Sequence, residues 1–358
     1  MAGNTIGSMF RVTTWGESHG KALGAIVDGC PAGLDLDESD LQEDLDRRKP
    51  SPSVSSTARN ERDSVEILSG VFEGKTTGTP ISMIIYNVDA DSSSYDALKD
   101  VFRPGQGDIT YLQKYGIRDW RGGGRASGRE TAARVAAGAI ASKLLAQSGM
   151  EVIAYTQAIG SIEIDRSRMT DPKSLRNVVR VNSLFCPDAQ AAKAMEENIA
   201  DVRNQGDSLG GVVEIIVNHC PAGLGEPIFD KMDADLAKAL MSIGSVKAVE
   251  IGDGVAMSGS RGSQANDQMD KKGYLTNHAG GILAGITNGQ QIVLRAYCKP
   301  IPSIAKPQRT IDSRGKEHRI EIRGRHDICV LPRIVPVCEA MVSIVLADHL
   351  LRQKAINE

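Results

Sequence analysis

Aromatic residues are scarce in this chain, with 5 Phe, 2 Trp and 7 Tyr among 358 residues. A core built on stacked rings is excluded, and the 37 glycines point instead to tight turns and close backbone approaches. An excess of either charge is missing too, since 42 Lys and Arg stand against 45 Asp and Glu for a net charge of −3. No overall basic field exists to hold nucleic acid or a membrane surface. The six Cys, at 30, 186, 220, 298, 329 and 338, form no CxxC pair, which argues against a disulfide scaffold or a zinc ribbon and for reduced, buried thiols. No cluster with metal-ligand spacing occurs, so no metal is expected. No run approaches the roughly 18 unbroken apolar residues of a membrane span, and Met1 to Phe10 lacks a secretory pattern. A cytoplasmic protein is the expectation. No Gly-x-Gly-x-x-Gly follows a strand-like segment, which leaves a Rossmann nucleotide domain unsupported.

Apolar residues at 41% and charged residues at 24% are ordinary globular usage. The length suggests two lobes or one large domain at about 150 residues per domain. An internal repeat favours a single unit over residues 1–358, with related halves starting near 10 and 200. Gly16-Glu17-Ser18-His19-Gly20 is followed, fourteen residues after its first Gly, by Cys30-Pro31-Ala32-Gly33-Leu34. Gly206-Asp207-Ser208-Leu209-Gly210 is followed at the same interval by Cys220-Pro221-Ala222-Gly223-Leu224. Strand-like residues lie between the landmarks in both copies, and a short amphipathic helix follows each, with Asp40, Leu41 and Leu45 matching Asp235, Leu236 and Leu240. His19 stands where the second copy has Leu209. The shared residues suit a backbone turn, whereas the imidazole is not needed for one and is the better candidate for chemistry.

Strands are expected over Val65 to Phe72, Pro80 to Tyr86 and Glu151 to Ile159. Thr131 to Leu145 reads as a helix with small residues on nearly every face, suited to close crossing by other helices. A second buried helix is expected from Pro336 to Leu351, with Pro336 in its first turn. Buried helices between antiparallel strands make an α+β fold, a layered β/α/β sandwich. Polar, turn-rich loops are expected over Ser51 to Asn60, Asp89 to Ser94 and Ala305 to Lys316.

Positive charge is concentrated locally. Residues 103–134 and 306–325 each carry seven basic side chains against three acidic ones, a surplus of four, so the remainder carries −11. A small anionic ligand and a pair of solvated loops both account for this. The first segment adds Gly122-Gly123-Gly124-Arg125-Ala126-Ser127-Gly128-Arg129-Glu130, running into the alanine-rich helix. Ser127 and Glu130 match a capping box. Three glycines and two arginines go beyond capping and suit an anion held by backbone N–H groups and guanidinium forks. In the second segment, Arg325 and Asp327 share one side of an extended stretch, as an anion and proton site or as a plain ion pair. Lys299-Pro300-Ile301-Pro302-Ser303 is a rigid loop with a basic anchor.

Gly16 to Gly20, Gly124-Arg125-Ala126-Ser127-Gly128-Arg129-Glu130-Thr131 and Gly324-Arg325-His326-Asp327 together resemble the three signatures of chorismate synthase. Asp46-Arg47-Arg48, Arg103-Pro104-Gly105, Lys114-Tyr115-Gly116, Asn277-His278-Ala279-Gly280-Gly281 and Lys299-Pro300 extend the resemblance over almost the whole chain. It implies a β/α/β sandwich, a homotetramer and a lyase of the shikimate pathway that feeds aromatic amino acid biosynthesis. The reaction implied is 1,4-anti elimination of phosphate from 5-enolpyruvylshikimate 3-phosphate to give chorismate, with a requirement for reduced FMN.

By the same resemblance, His19 is the acid for the departing phosphate, and Ser18 and Asp327 form a relay for the substrate's C6 proton. Arg48, Arg103, Arg129 and Arg325 clamp anionic groups, Arg48 also matching an NADP position. Arg125, Ala126, Ser127, Gly244, Ser245, Ala284, Lys299, Pro300, Ile301, Pro302, Ser303 and Arg325 match FMN contacts. Two positions depart from the family: Gln106 replaces a usual His, and Val54 replaces an Arg of the substrate or NADP clamp. A carboxamide donates hydrogen bonds but carries no proton at neutral pH. Without a flavin-reductase domain, reduced flavin is expected from a separate reductase, with NADPH as an indirect reductant. A flavin or NADPH oxidoreductase and a non-catalytic binding module are the competing readings, separable by phosphate release.

Overall fold

A computed structural model describes residues 3–49, 63–88, 98–169, 174–322 and 326–357. Two five-stranded antiparallel sheets form its outer layers. The first runs, in spatial order, Thr5–Ile6, Arg11–Gly16, Ala22–Asp28, Ile81–Tyr86 and Val65–Ile67. The second runs Val246–Ile251, Ile292–Cys298, Gly211–Asn218, Glu151–Ile159 and Ile162–Glu163. Alternation decides which face turns inward: Leu23, Ala25 and Val27 are buried on one side of their strand, while Ile26 is exposed on the other.

Two helices fill the space between the sheets. Thr131–Ala146 buries twelve of its residues and packs on the first sheet. The C-terminal helix, Leu331–Asn357, packs on the second sheet, and the two helices make their most extensive contact with each other. The expected β/α/β sandwich is the observed architecture. Small residues make the close crossing possible, because a Cβ on Gly138 would lie 2.3 Å from Ala340 Cβ. Beside that contact, Ser142 Oγ donates to Ser343 Oγ at 3.0 Å. The C-terminal helix is long and apolar enough to cross a membrane by composition, but that stretch is buried inside the protein.

The two halves repeat the same local construction. In each, the Cys-Pro-Ala-Gly-Leu landmark is locked by a threonine absent from the sequence reading. Thr76 Oγ1 accepts from Leu34 N at 2.9 Å and donates to Pro31 O at 2.7 Å. Thr287 Oγ1 accepts from Leu224 N at 2.9 Å and donates to Pro221 O at 2.7 Å. Both threonines sit on matching hairpins, Val71–Phe72 with Lys75–Thr76 and Ile282–Leu283 with Ile286–Thr287. The landmark cysteines are buried, which pushes the Cys30 thiol up to about 11 and that of Cys220 up to about 12.

Several expectations are corrected. The strand expected over Val65 to Phe72 breaks after Ile67, because Gly70 adopts φ +83° against Ile81 and only Val65–Ile67 joins the sheet. The C-terminal helix begins at Leu331, so Pro336 lies inside it and forfeits one helical hydrogen bond. The segment from Ala305 to Lys316 is partly ordered as a strand, Gln308–Ile311, paired with Glu317–Ile320. The loops expected over Ser51 to Asn60 and Asp89 to Ser94 lie outside the described residues.

Glycine within a helix normally costs about 1 kcal/mol relative to alanine, so Gly138→Ala would stabilise an isolated helix. Here the added methyl meets Ala340, and overpacking of about 1–3 kcal/mol decides the sign. Urea denaturation of Gly138→Ala is expected to show a lower midpoint than the parent chain.

Candidate active site

The glycine-rich approach to the Thr131–Ala146 helix does not run straight into it. Two 3₁₀ turns, Gly124–Ala126 and Gly128–Glu130, come first, and Ser127 caps the second by accepting from Arg129 N at 3.3 Å. The expected reciprocal capping box is not made: Glu130 instead receives Arg134 Nε at 3.0 Å. Capping a tighter turn aims the chain from Gly123 to Glu130 along the wall of a cavity of about 420 Å³, a size suited to a small-molecule site. The opposite wall comes from Gly105 to Gly107, Ser242 to Ser245, Lys299 and Ile301 to Ser303, with His326, Asp327 and the start of the C-terminal helix completing it. A second hollow of about 670 Å³, lined by Trp15, Tyr111, Tyr115 and Arg118, shares Arg103, Gln106, Gly107, Gly123, Arg125 and Ala126 with the first.

Six guanidiniums in this region are each paired with a carboxylate. Arg103 makes a two-pronged contact with Asp108, Nε to Oδ2 and Nη2 to Oδ1, both at 2.8 Å, and Arg118 reaches Oδ2 of the same carboxylate at 3.3 Å. Arg48, fully buried, holds Asp63 Oδ2 at 2.7 Å, while Arg129 pairs with Asp63 Oδ1. Arg134 bridges to Glu130 at 3.0 Å, and Arg333 to Asp327 at 2.9 Å. The cavity wall itself carries seven basic side chains, at 48, 103, 125, 129, 134, 299 and 333, against two carboxylates, Glu130 and Asp327. Asp63 and Asp108 lie outside that wall, so the lining keeps a strong positive bias.

Burial alone would raise the Asp63 carboxyl, but Arg48 and Arg129 hold it below the usual carboxylate range. Burial likewise opposes ionisation of Asp108, and hydrogen bonds from Arg103 with the charges of Arg103 and Arg118 outweigh it, keeping its pKa low. Burial depresses Arg48, only partly offset by Asp63. Lys299 is lowered by desolvation and then by Lys247. Its Nζ donates to Gly105 O at 2.8 Å, which ties the 299–303 loop to the 103–107 turn.

Of the residues expected at a site, the cavity brings together Arg48, Arg103, Gln106, Arg125, Ala126, Ser127, Arg129, Gly244, Ser245, Lys299, Ile301, Pro302, Ser303 and Asp327. Pro300 packs behind the wall against Gly210. The Arg125 guanidinium donates to Thr14 Oγ1 at 2.7 Å and to Gly16 O at 3.3 Å, which joins the wall to the first sheet. His19 is not among the lining residues; its ring sits on Gly122, adjacent to Gly123 of the wall, and its Nδ1 is 3.0 Å from Ser18 Oγ. Ala284 is not at the cavity. Its hairpin packs at the N-terminal end of helix Met232–Met241 through Met232 N to Gly285 O at 2.9 Å, whereas Ser242 to Ser245 line the cavity beyond the other end. Ten residues at 1.5 Å rise separate the two by about 15 Å. Val54 and Arg325 lie outside the described residues.

The second-copy turn has become a brace for the same cavity. Ser208 Oγ donates to Ile301 O at 2.6 Å, Lys306 reaches Asp207 at 2.7 Å, and Leu209 N donates to Ile328 O at 2.8 Å. One copy contributes an imidazole and the other fastens two lining segments. Asp63, Asp108, Arg134 and Arg333 were missed as site residues. Asp108 had a signal, five residues from Arg103 in a turn, whereas nothing local ties Asp63 to Arg129, 66 positions away.

Asp108→Asn is expected to cost about 3 kcal/mol at neutral pH, since it leaves two largely buried guanidiniums without their counter-charge. A depressed folded-state pKa stabilises above the unfolded carboxyl value near 3.9 and loses that effect as pH falls through the folded value. Denaturation midpoints of parent and variant should therefore differ widely at pH 7 and draw together as pH falls below the unfolded carboxyl value.

A family model described as chorismate synthase matches residues 10–351. The chain is 61% identical over 358 residues to the chorismate synthase of Syntrophus aciditrophicus, with all of both chains covered. It is 59% identical to that of Desulfosudis oleivorans, covering 100% of this chain and 99% of the relative. A crystal structure of chorismate synthase superposes with a TM-score of 0.78 at 35% identity, covering 97% of this chain and 93% of that one. The match runs through both sheets, both central helices and every described segment of the cavity wall, and the chain belongs to the chorismate synthase family.

Proposed function

We propose that this lyase eliminates phosphate from 5-enolpyruvylshikimate 3-phosphate in the 1,4-anti sense, giving chorismate for aromatic amino acid biosynthesis, with reduced FMN as the required cofactor. The observation that carries the reading is the cavity wall, with seven basic side chains against two acidic ones, in a chain of this family. A substrate with one phosphate and two carboxylates needs such a surplus to offset its desolvation.

The residues present fit a flavin. At Gly128 and Gly244 an added Cβ would meet nothing within 4 Å, so bare backbone borders open space where a planar ring can approach closely. Ser127, Lys299 and Ser303 supply polar side chains on the same walls. When bound, reduced flavin would lend the electron density that a redox-neutral elimination borrows and returns.

The chain's own groups take the remaining tasks. Arg103 and Arg129, held in fixed directions by Asp108 and Asp63, orient the anionic substrate. His19 protonates the departing phosphate, and with Nδ1 engaged by Ser18 Oγ the proton is donated from Nε2. Asp327, anchored by Arg333, lines the wall and forms with Ser18 the relay for the C6 proton. Gln106, at the junction of the two hollows, donates a carboxamide hydrogen bond where the family's usual His would supply a proton. The reading includes a cytoplasmic homotetramer supplied with reduced flavin by a separate reductase, NADPH acting indirectly. Exposed Phe229, Ile228 and Phe72 support assembly into a larger unit. The related halves derive, on this reading, from duplication of one strand–turn–helix unit.

Phosphate release from enolpyruvylshikimate phosphate with pre-reduced FMN under anaerobic conditions tests the function, with turnover and no net NADPH consumption as the expected result. In the same assay Gln106→His should raise kcat by about a hundredfold, the low end of a general-acid contribution, with flavin binding unchanged. Equal or lower turnover would show that a proton at this position is not limiting.

A further inference from the structure

Asp63 is 2% exposed, and each of its carboxylate oxygens holds a different guanidinium, Arg48 on Oδ2 and Arg129 on Oδ1. Both arginines line the 420 Å³ cavity. Further contacts fix their orientation: Arg48 Nη1 donates to Gly128 O at 3.2 Å and Thr131 Oγ1 at 3.3 Å, and Arg129 Nε donates to Asn87 Oδ1 at 2.9 Å. Gly128 and Thr131 flank Arg129 on the glycine-rich wall, so Arg48 and Arg129 are tied together twice, through the carboxylate and through the wall itself.

Two guanidiniums this deeply buried repel each other and lose hydration, and a carboxylate shared between them offsets part of both costs. The backbone at Asp63 adds a second sign of specialisation. Its φ of +46° lies in the left-handed region, which Asp and Asn tolerate better than other non-glycine residues and which costs about 1 kcal/mol or more. A residue held in that conformation, with both oxygens spent on cavity arginines, is placed for those arginines rather than for the local turn.

We propose that Asp63 is a positioning residue for the anion site: by splitting its carboxylate between Arg48 and Arg129 it sets their spacing and direction, and so the affinity for the substrate's anionic groups rather than the rate of the chemical step. The kinetic part of the test rests on the function proposed above, and a phosphate-binding part does not. In the anaerobic phosphate-release assay, Asp63→Asn, which keeps shape and tolerates positive φ, is expected to raise KM about tenfold or more with kcat within about threefold of the parent. Asp63→Glu keeps the charge but displaces it, and is expected to raise KM about threefold. A merely structural carboxylate would lower the folded fraction, and with it kcat, while leaving KM unmoved; that result in either variant overturns the proposal. If Asp63→Asn does not fold, Asp63→Glu decides alone by the same criterion. The second measurement is the rise in Tm of the full chain with inorganic phosphate, expected to be clear for the parent and at least halved for the variants. If the parent releases no phosphate from the enolpyruvyl substrate, the proposed function fails and the Tm shift alone decides. Equal shifts in parent and variants, or no shift in any of them, overturn the role of Asp63.

Discussion

Guanidinium groups that line a buried cavity must be both desolvated and kept apart, and the structure meets both demands with shared carboxylates. Asp63 serves Arg48 and Arg129, and Asp108 serves Arg103 and Arg118. A lone buried arginine would be prohibitively costly, and a fully neutralised one would have little left for a ligand. One carboxylate between two guanidiniums fixes where each of them points. Preorganisation of this kind matters most where a multiply charged substrate must be bound in a single orientation. Arg333 and Asp327 extend the same construction to the base of the C-terminal helix.

That electrostatic construction depends on an unusually close helix pair. Thr131–Ala146 and Leu331–Asn357 bring Arg129 and Arg134 from one side and Arg333 from the other to the same cavity. Gly138 against Ala340 allows the approach, and the two sheets shield the pair from water. Few aromatics are needed, because small side chains at short range supply dense packing without large rings. The repeated threonine locks at Thr76 and Thr287 hold the turns that follow the central strand of each sheet, one in each half.

Much of the architecture was legible in the chain before any coordinates. Strand-like apolar residues between the paired landmarks identified the strands around Leu23 and Val213, and the run of small residues identified the central helix. Boundaries were less legible where two signals competed. Pro336 suggested a helix start because proline suits a first turn, yet the apolar pattern continues back to Leu331 and burial of that turn outweighed the missing hydrogen bond. Gly70 interrupted a segment that looked like one strand, since its backbone approaches Ile81 too closely for a side chain. At the site, the glycine-rich motif pointed to Arg125 and Arg129 alike, but the Arg125 guanidinium bonds to Thr14 and Gly16 while that of Arg129 bonds to Asp63.

The sequence by itself determined the periodicities, the turns, the paired landmarks and the motifs that mark the family, because each depends on residues within about one element of one another. Only the tertiary structure decided which charges meet. Arg129 and Asp63 are 66 positions apart and Arg125 and Gly16 are 109 apart, and no local preference selects such partners. Electrostatic pairing at that range follows from where packing puts the chain, so the partner of each arginine was settled by the layers that surround it.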